Sequence, residues 1–214
     1  HLSSRRQRQM CIRDSSSTQK ANDIARRYDE IILADSKRCL GAYIFLWGQK
    51  QERTPTWYGM FLETGERTAA VDVMQKAWTG DWPSHQAPKI HSLRLNAEES
   101  PKSIEGAVNQ VFHAEVHATE SDDHLISWRV REEVPTALQS DGGDFEPTPP
   151  TIEAVIGTQN RQFNFQLSEP GEYRLFCQID TPHDSSAVAN IPFLIKPEPQ
   201  KRTRFFNLFR RSAA

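Results

Sequence analysis

The stretch Leu40-Gly-Ala-Tyr-Ile-Phe-Leu-Trp-Gly-Gln-Lys-Gln-Glu-Arg-Thr-Pro-Thr-Trp-Tyr58 carries the reading on which the rest of the chain depends. It is apolar from Leu40 to Trp47 and turns polar at Gly48, with Trp47 and Trp57 bracketing the polar part. A short apolar run closed by glycine predicts a strand buried on both faces, as in a parallel sheet. In α/β barrels the functional groups stand just past the carboxyl ends of such strands. Trp47 to Trp57 is therefore the first place to look for a binding surface.

The flanks support an α/β unit. Ser17 is a plausible helix cap, and Ala21, Ile24, Ala25, Tyr28, Ile31 and Ile32 recur at helical spacing. This predicts a helix from about Thr18 to Ala34. Downstream, Ala70, Val71, Met74, Ala77 and Trp78 form one stripe of a second helix over Arg67–Thr79, with Gly80 as its stop and Pro83 beyond. One strand and two helices do not close a core. Residues 15–82 thus predict part of a larger α/β domain, followed by a linker at 83–88.

From residue 89 the pattern changes to alternation. Phe112, Ala114, Val116 and Ala118 share one face, with His113, Glu115 and His117 on the other. Ile126, Trp128 and Val130 alternate, as do Phe163, Phe165 and Leu167, then Tyr173, Leu175, Cys177 and Ile179, then Ile191, Phe193 and Ile195. With further strands near Ile90–Leu95 and Ile152–Ile156, about seven short strands separated by turn signals predict an antiparallel β-sandwich over 89–196. Trp128 is expected in its core.

Composition narrows the function classes. The chain has 214 residues, 37 % hydrophobic and 25 % charged, with a formal charge of −2. Residues 15–200 carry 17 basic against 27 acidic side chains, an acidic body that argues against nucleic-acid binding. No run reaches the apolar length of a membrane span. Cys39 and Cys177 lie far apart beside apolar residues, so free core thiols are favoured over a bridge. The tail 197–214 is basic and Phe-rich. It reads as a frayed terminus, with a membrane-touching amphipathic helix as the weaker alternative.

Arg5-Arg-Gln-Arg-Gln-Met-Cys-Ile-Arg-Asp14 resembles a translated transposase-type sequencing adapter. Residues 1–14 are accordingly expected to be an artefact, the alternative being a basic N-terminal arm. On that expectation the chain is a C-terminal fragment, and the missing signal peptide says nothing about location.

Tyr43, Phe45, Trp47, Gly48, Gln49, Lys50, Gln51, Glu52, Thr54, Thr56, Trp57, Tyr58, Gly59, Met60 and Phe61 form a motif. It resembles the last strand and following loop in secreted bacterial proteins related to glycoside hydrolase families 2 and 5, the retaining clan of (β/α)8 barrels. Gly171 to Phe176, Ala187 to Phe193 and the loop Asp141-Gly-Gly-Asp144 are similar to an Ig-like or PKD-like module. The resemblance implies a fold class of α/β plus all-β: a truncated (β/α)8-barrel C-terminal end (helix–strand–loop–helix), then an antiparallel Ig-like β-sandwich. It further implies an extracellular or periplasmic parent that cleaves β-linked glycans, with carbohydrate as the partner. Retaining glycosidases need two carboxylates about 5–5.5 Å apart. The resemblance puts both upstream of this chain, so no catalytic residue is expected in it and the fragment is expected to be inactive. No cofactor is expected, and neither the cysteines nor the histidines show metal-ligand spacing, so no metal is expected. Relatives carry a calcium-like turn where this chain has Glu120-Ser-Asp-Asp-His124, which lacks the glycine and the spaced carboxylates.

Substrate contacts are expected from Trp47, Gln49, Glu52 and Trp57. Trp47 suits the floor of a sugar site, because an indole face packs on the C–H face of a pyranose. The competing reading is a core tryptophan with its N–H bonded to backbone. Trp57 divides evenly between the two. For Gln49, Lys50, Gln51 and Glu52 a solvated loop face competes with hydrogen bonding to sugar hydroxyls. The alternative to the hydrolase fragment is a non-catalytic glycan- or protein-binding surface protein.

Overall fold

The computed structural model describes residues 15–35, 37–56, 58–100, 104–138 and 146–197. The adapter-like residues 1–14, Trp57, the Asp141–Asp144 loop and the tail beyond residue 197 lie outside the described residues.

The strands are β1 (Ile90–Leu95), β2 (Ile104–Ala107), β3 (Val111–Ala118), β4 (Leu125–Glu132), β5 (Thr151–Thr158), β6 (Gln162–Gln166), β7 (Gly171–Asp180) and β8 (Ser186–Lys196). They build a three-stranded sheet in the order β1-β3-β6 and a five-stranded sheet in the order β2-β8-β7-β4-β5. Every pairing is antiparallel except β2 with β8. Two such sheets packed face to face form an immunoglobulin-like sandwich.

Period-two alternation explains the packing. On β3, Phe112, Ala114, Val116 and Ala118 are buried while His113 and His117 are exposed. On β7 the inward set is Tyr173, Leu175, Cys177 and Ile179. Trp128 on β4 is wholly buried, stacks at 5.9 Å on Phe163 and donates its indole N–H to the Asn160 carbonyl at 3.2 Å. Removing a side chain of this size from water is worth roughly 2–3 kcal/mol. The Tyr173 hydroxyl, at the start of β7, donates back to the Glu169 carbonyl at 3.0 Å. This matches the tyrosine corner of immunoglobulin-type sandwiches.

The N-terminal segment contributes two short helices. In α1 (Ser17–Arg27), Ser16 is the cap, with its hydroxyl on the Gln19 N–H and the Gln19 side chain on the Ser16 N–H. A π-helical turn (Tyr28–Ile32) and a 3-10 turn (Leu33–Asp35) end it. In α2 (Ala69–Thr79), Gly80 ends the helix at φ +83°, a conformation that glycine adopts without a Cβ clash. Ala21, Met60, Ala69, Ala70, Val73, Met74 and Ala87 form a small second core between the helices. Side chains at the start of α1 tie it to the sandwich. The Ser17 hydroxyl accepts the Val188 N–H at 2.9 Å, and the Thr18 hydroxyl accepts the Ile90 N–H at 3.0 Å.

The expected truncated (β/α)8-barrel end is overturned. The described residues hold two short helices and two β-sheets, with no barrel repeat. Leu40–Trp47 forms no strand, and Leu40, Tyr43 and Phe45 are exposed rather than buried on two faces. A buried strand needs neighbours on both edges to take its backbone N–H and C=O groups. Both sheets here are built from residues after 89, and no strand of either pairs with this segment. The first helix is also shorter than its stripe suggests: only Ala21 among its apolar residues is fully buried, and the chain leaves α-helical geometry at Tyr28. Among the described residues no helix is long and apolar enough to cross a membrane.

Candidate functional site

The loop from Gly48 to Thr68 is pinned by its own backbone. The Gly48 carbonyl accepts N–H groups from Met60 at 3.0 Å and Phe61 at 3.3 Å. The Met60 carbonyl accepts the Thr68 N–H at 3.0 Å and the Thr68 hydroxyl at 2.9 Å. Gly59 is required at this crossing, because a Cβ there would stand 2.9 Å from the Gly48 carbonyl oxygen. These contacts bring Trp47, Phe61 and the last turn of α2 together.

The result is an aromatic surface. Trp47 meets Phe61 edge-on at 5.4 Å and lies at 5.6 Å and 34° from Trp78. Both indoles stay open to solvent, at 52 % for Trp47 and 55 % for Trp78. Phe45 and Tyr58 form a second edge-on pair at 5.3 Å, and both are exposed. Beside them is a shallow hollow of about 400 Å³, lined in part by Lys20, Ile24, Tyr43, Phe45, Tyr58 and Met60. Ring pairs of this kind are worth about 0.5–1.5 kcal/mol beyond their buried area, enough to hold exposed rings in place.

The predicted site residues separate. Trp47 stands on this surface. Gln49 is half-buried in the loop behind it. Glu52 is turned inward, 1 % exposed, with its Oε1 held by the Lys50 ammonium at 2.7 Å. Its Oε2 and the Thr54 hydroxyl are buried without a hydrogen-bond partner. The expected loop acid is therefore a core group that touches no open surface. Trp57 lies outside the described residues. Trp78, Phe61 and Tyr58 join Trp47, although the sequence gives them no site role. Trp78 continues the apolar stripe of α2, but it falls one residue before the helix ends and so escapes the core. Its nearness in sequence to Trp82, also exposed, was the available signal.

Elsewhere, Asp123 accepts from the Ser121 hydroxyl, which with the nearby His124 and His183 holds its carboxyl below the ordinary range against a smaller effect of burial. Among the described residues no cluster of three His, Cys, Asp or Glu side chains is placed to hold a metal. Burial pushes the Cys177 thiol well above its ordinary value.

No protein-family model matches the chain, and the curated proteins contain no match. The resemblance to glycoside hydrolases is thus not upheld, and with the barrel absent it is set aside. Among solved structures, the PmoD soluble domain from Methylocystis sp. is 10 % identical at a TM-score of 0.33, covering 50 % of this chain and 93 % of its own. A superoxide reductase (neelaredoxin) from Ignicoccus hospitalis is 13 % identical at 0.31, covering 50 % and 82 %. The PKD domain of an M14-like peptidase from a Thermoplasmatales archaeon is 11 % identical at 0.26, covering 51 % and 92 %. Similarity at this level transfers no function.

Proposed function

We propose that this chain is a non-catalytic binding module that holds carbohydrate on the surface formed by Trp47 and Trp78. The observation that carries the reading is their pairing at 5.6 Å with half of each indole left in water. Contiguous exposed apolar patches mark interaction surfaces more often than scattered exposed residues do. Indole faces suit the C–H faces of pyranose rings, and the indole N–H adds a donor for a hydroxyl. Half-buried Gln49 and Lys50 stand next in the loop. Catalysis is not part of the proposal: Glu52, the carboxylate of this loop, is buried and bound by Lys50. A module of this kind works where glycans are, outside the cytoplasm.

The test is a glycan array followed by calorimetry on the full chain, with Trp47→Ala and Trp78→Ala. The expected result is binding to β-linked glycans that falls at least tenfold in each variant while the melting temperature holds. An array without binding, or binding that both variants keep, overturns the proposal. A second reading, docking of another protein, draws support from the exposed apolar side chains of Leu40, Tyr43 and Phe45.

A further inference from the structure

A second cleft lies between Gln51, Pro55 and Leu62 of the same loop and the outer face of the five-stranded sheet. It measures about 370 Å³, within the range of small-molecule sites, roughly 300–1,000 Å³. Ser127, Arg129 and Arg131 of β4 and Phe176, Gln178 and Asp180 of β7 form one wall, and Gln51, Pro55, Leu62, Glu63, Thr64 and Glu66 stand on the other.

The two arginines distinguish it. Both are half-buried. Arg129 Nη1 donates to Gln178 Oε1 at 3.3 Å, and Arg131 Nε donates to the Thr151 hydroxyl at 3.2 Å while its guanidinium lies 5.6 Å from the centre of the Phe176 ring. Neither forms an ion pair with a carboxylate of the described residues. Arg174, on the same outer face, shows the ordinary solution: it is buried and pairs with Glu133 at 2.8 Å. The cleft also contains three acids, Glu63, Glu66 and Asp180, none of them ion-paired with the two arginines among the described residues. Asp180 accepts from Gln178 at 2.7 Å and from the Ser186 hydroxyl, and Glu66 accepts from the Thr64 hydroxyl. Glu63 is exposed at the rim and raises the Arg131 pKa only by long-range attraction, so burial first and the like charge of Arg129 second hold that pKa below its ordinary value.

Each guanidinium has five N–H donors and spends one. Residues two apart on a strand share a face and stand about 7 Å apart, so both forks can converge on one oxyanion. We infer that the cleft binds a small anionic molecule through a carboxylate or phosphate group held between Arg129 and Arg131, with Thr64, Ser127 and Gln51 as polar neighbours. This site is separate from the aromatic surface and does not depend on it.

The test is calorimetric titration of the full chain at low ionic strength with inorganic phosphate in one arm and succinate in the other. Variants are Arg129→Gln, Arg131→Gln and Arg129→Lys, with Arg94→Gln, an exposed arginine paired with Glu99, as the charge control. Saturable binding of either probe is expected, at least tenfold weaker in R129Q and R131Q and unchanged in R94Q. The arm that binds names the oxyanion. R129K keeps the charge and the fold but lacks the fork, and is expected to bind less tightly than the wild type. Absence of saturable binding in both arms, or equal loss in R94Q, overturns the inference.

Discussion

The backbone N–H of Ser186 donates to the Arg67 carbonyl at 2.9 Å, and the Arg67 N–H donates to the Asp184 carbonyl at 3.1 Å. Arg67 and Ser185, far apart in sequence, thus form a short parallel bridge that fastens the N-terminal segment to the sandwich. The Arg67 side chain reinforces it, donating to the His183 carbonyl at 2.7 Å, to the His85 carbonyl and to Asp72 at 3.2 Å. The aromatic surface rests on this attachment, because Arg67 leads directly into α2 and Trp78.

Arg67→Ala is expected to cost about 2–4 kcal/mol, since it leaves Asp72 buried with only the Ala87 N–H as partner. Urea unfolding followed by circular dichroism measures this. A loss below about 0.5 kcal/mol, the range of an ordinary surface change, would show that the attachment carries no load.

Gly59→Ala is expected to cost about 1–3 kcal/mol, because the added methyl meets backbone at 2.9 Å (Gly48 carbonyl) and 3.2 Å (Gln49 Cα). Backbone cannot rotate away as a side chain can, so Gly48 and Phe61 must separate, and Trp47 loses its brace. A melt identical to the wild type, together with unchanged Trp47 fluorescence, would contradict the close approach.

Cys177 gives a pH prediction. Its thiol is wholly buried opposite Trp128 and its folded pKa lies above the ordinary value of 9.0. Above that value the unfolded chain releases the proton while the folded chain keeps it. Stability should therefore be complete below about pH 8 and fall above pH 9, by up to about 1.4 kcal/mol per pH unit. Cys177→Ala should flatten this limb. In a variant lacking Cys11 and Cys39, Cys177 should react with a thiol reagent only on unfolding. Prompt labelling of the native protein would refute the burial.

The sandwich was legible because alternation is a two-faced signal. Phe112, Ala114 and Val116 on β3, and Leu175, Cys177 and Ile179 on β7, are buried where period two puts them. β2 was missed because it is four residues long, buries only Ile104 and places Gly106 against the Phe112 ring. No alternation fits in that length. Leu40–Trp47 misled for a different reason. Apolar composition reports what a side chain prefers, not whether a strand pairs with its backbone, and here none of the described strands does. Glu52 shows the same limit in reverse, a charged loop residue that the fold buries with Lys50. Arg129 and Arg131 alternate with Trp128 and Val130 and so fall on the other face of β4, but only the fold brings Gln51, Pro55 and Leu62 across from them.

On the proposed function, Trp47 and Trp78 form one carbohydrate surface. The most direct measurement is the pair of indole N–H resonances in a nitrogen–proton correlation spectrum of the full chain during titration with a panel of β-linked oligosaccharides. Trp47 and Trp78 are predicted to shift together and saturate at the same ligand concentration, while the buried Trp128 indole stays fixed. A panel in which no member moves either indole, or in which Trp128 shifts and they do not, would contradict it.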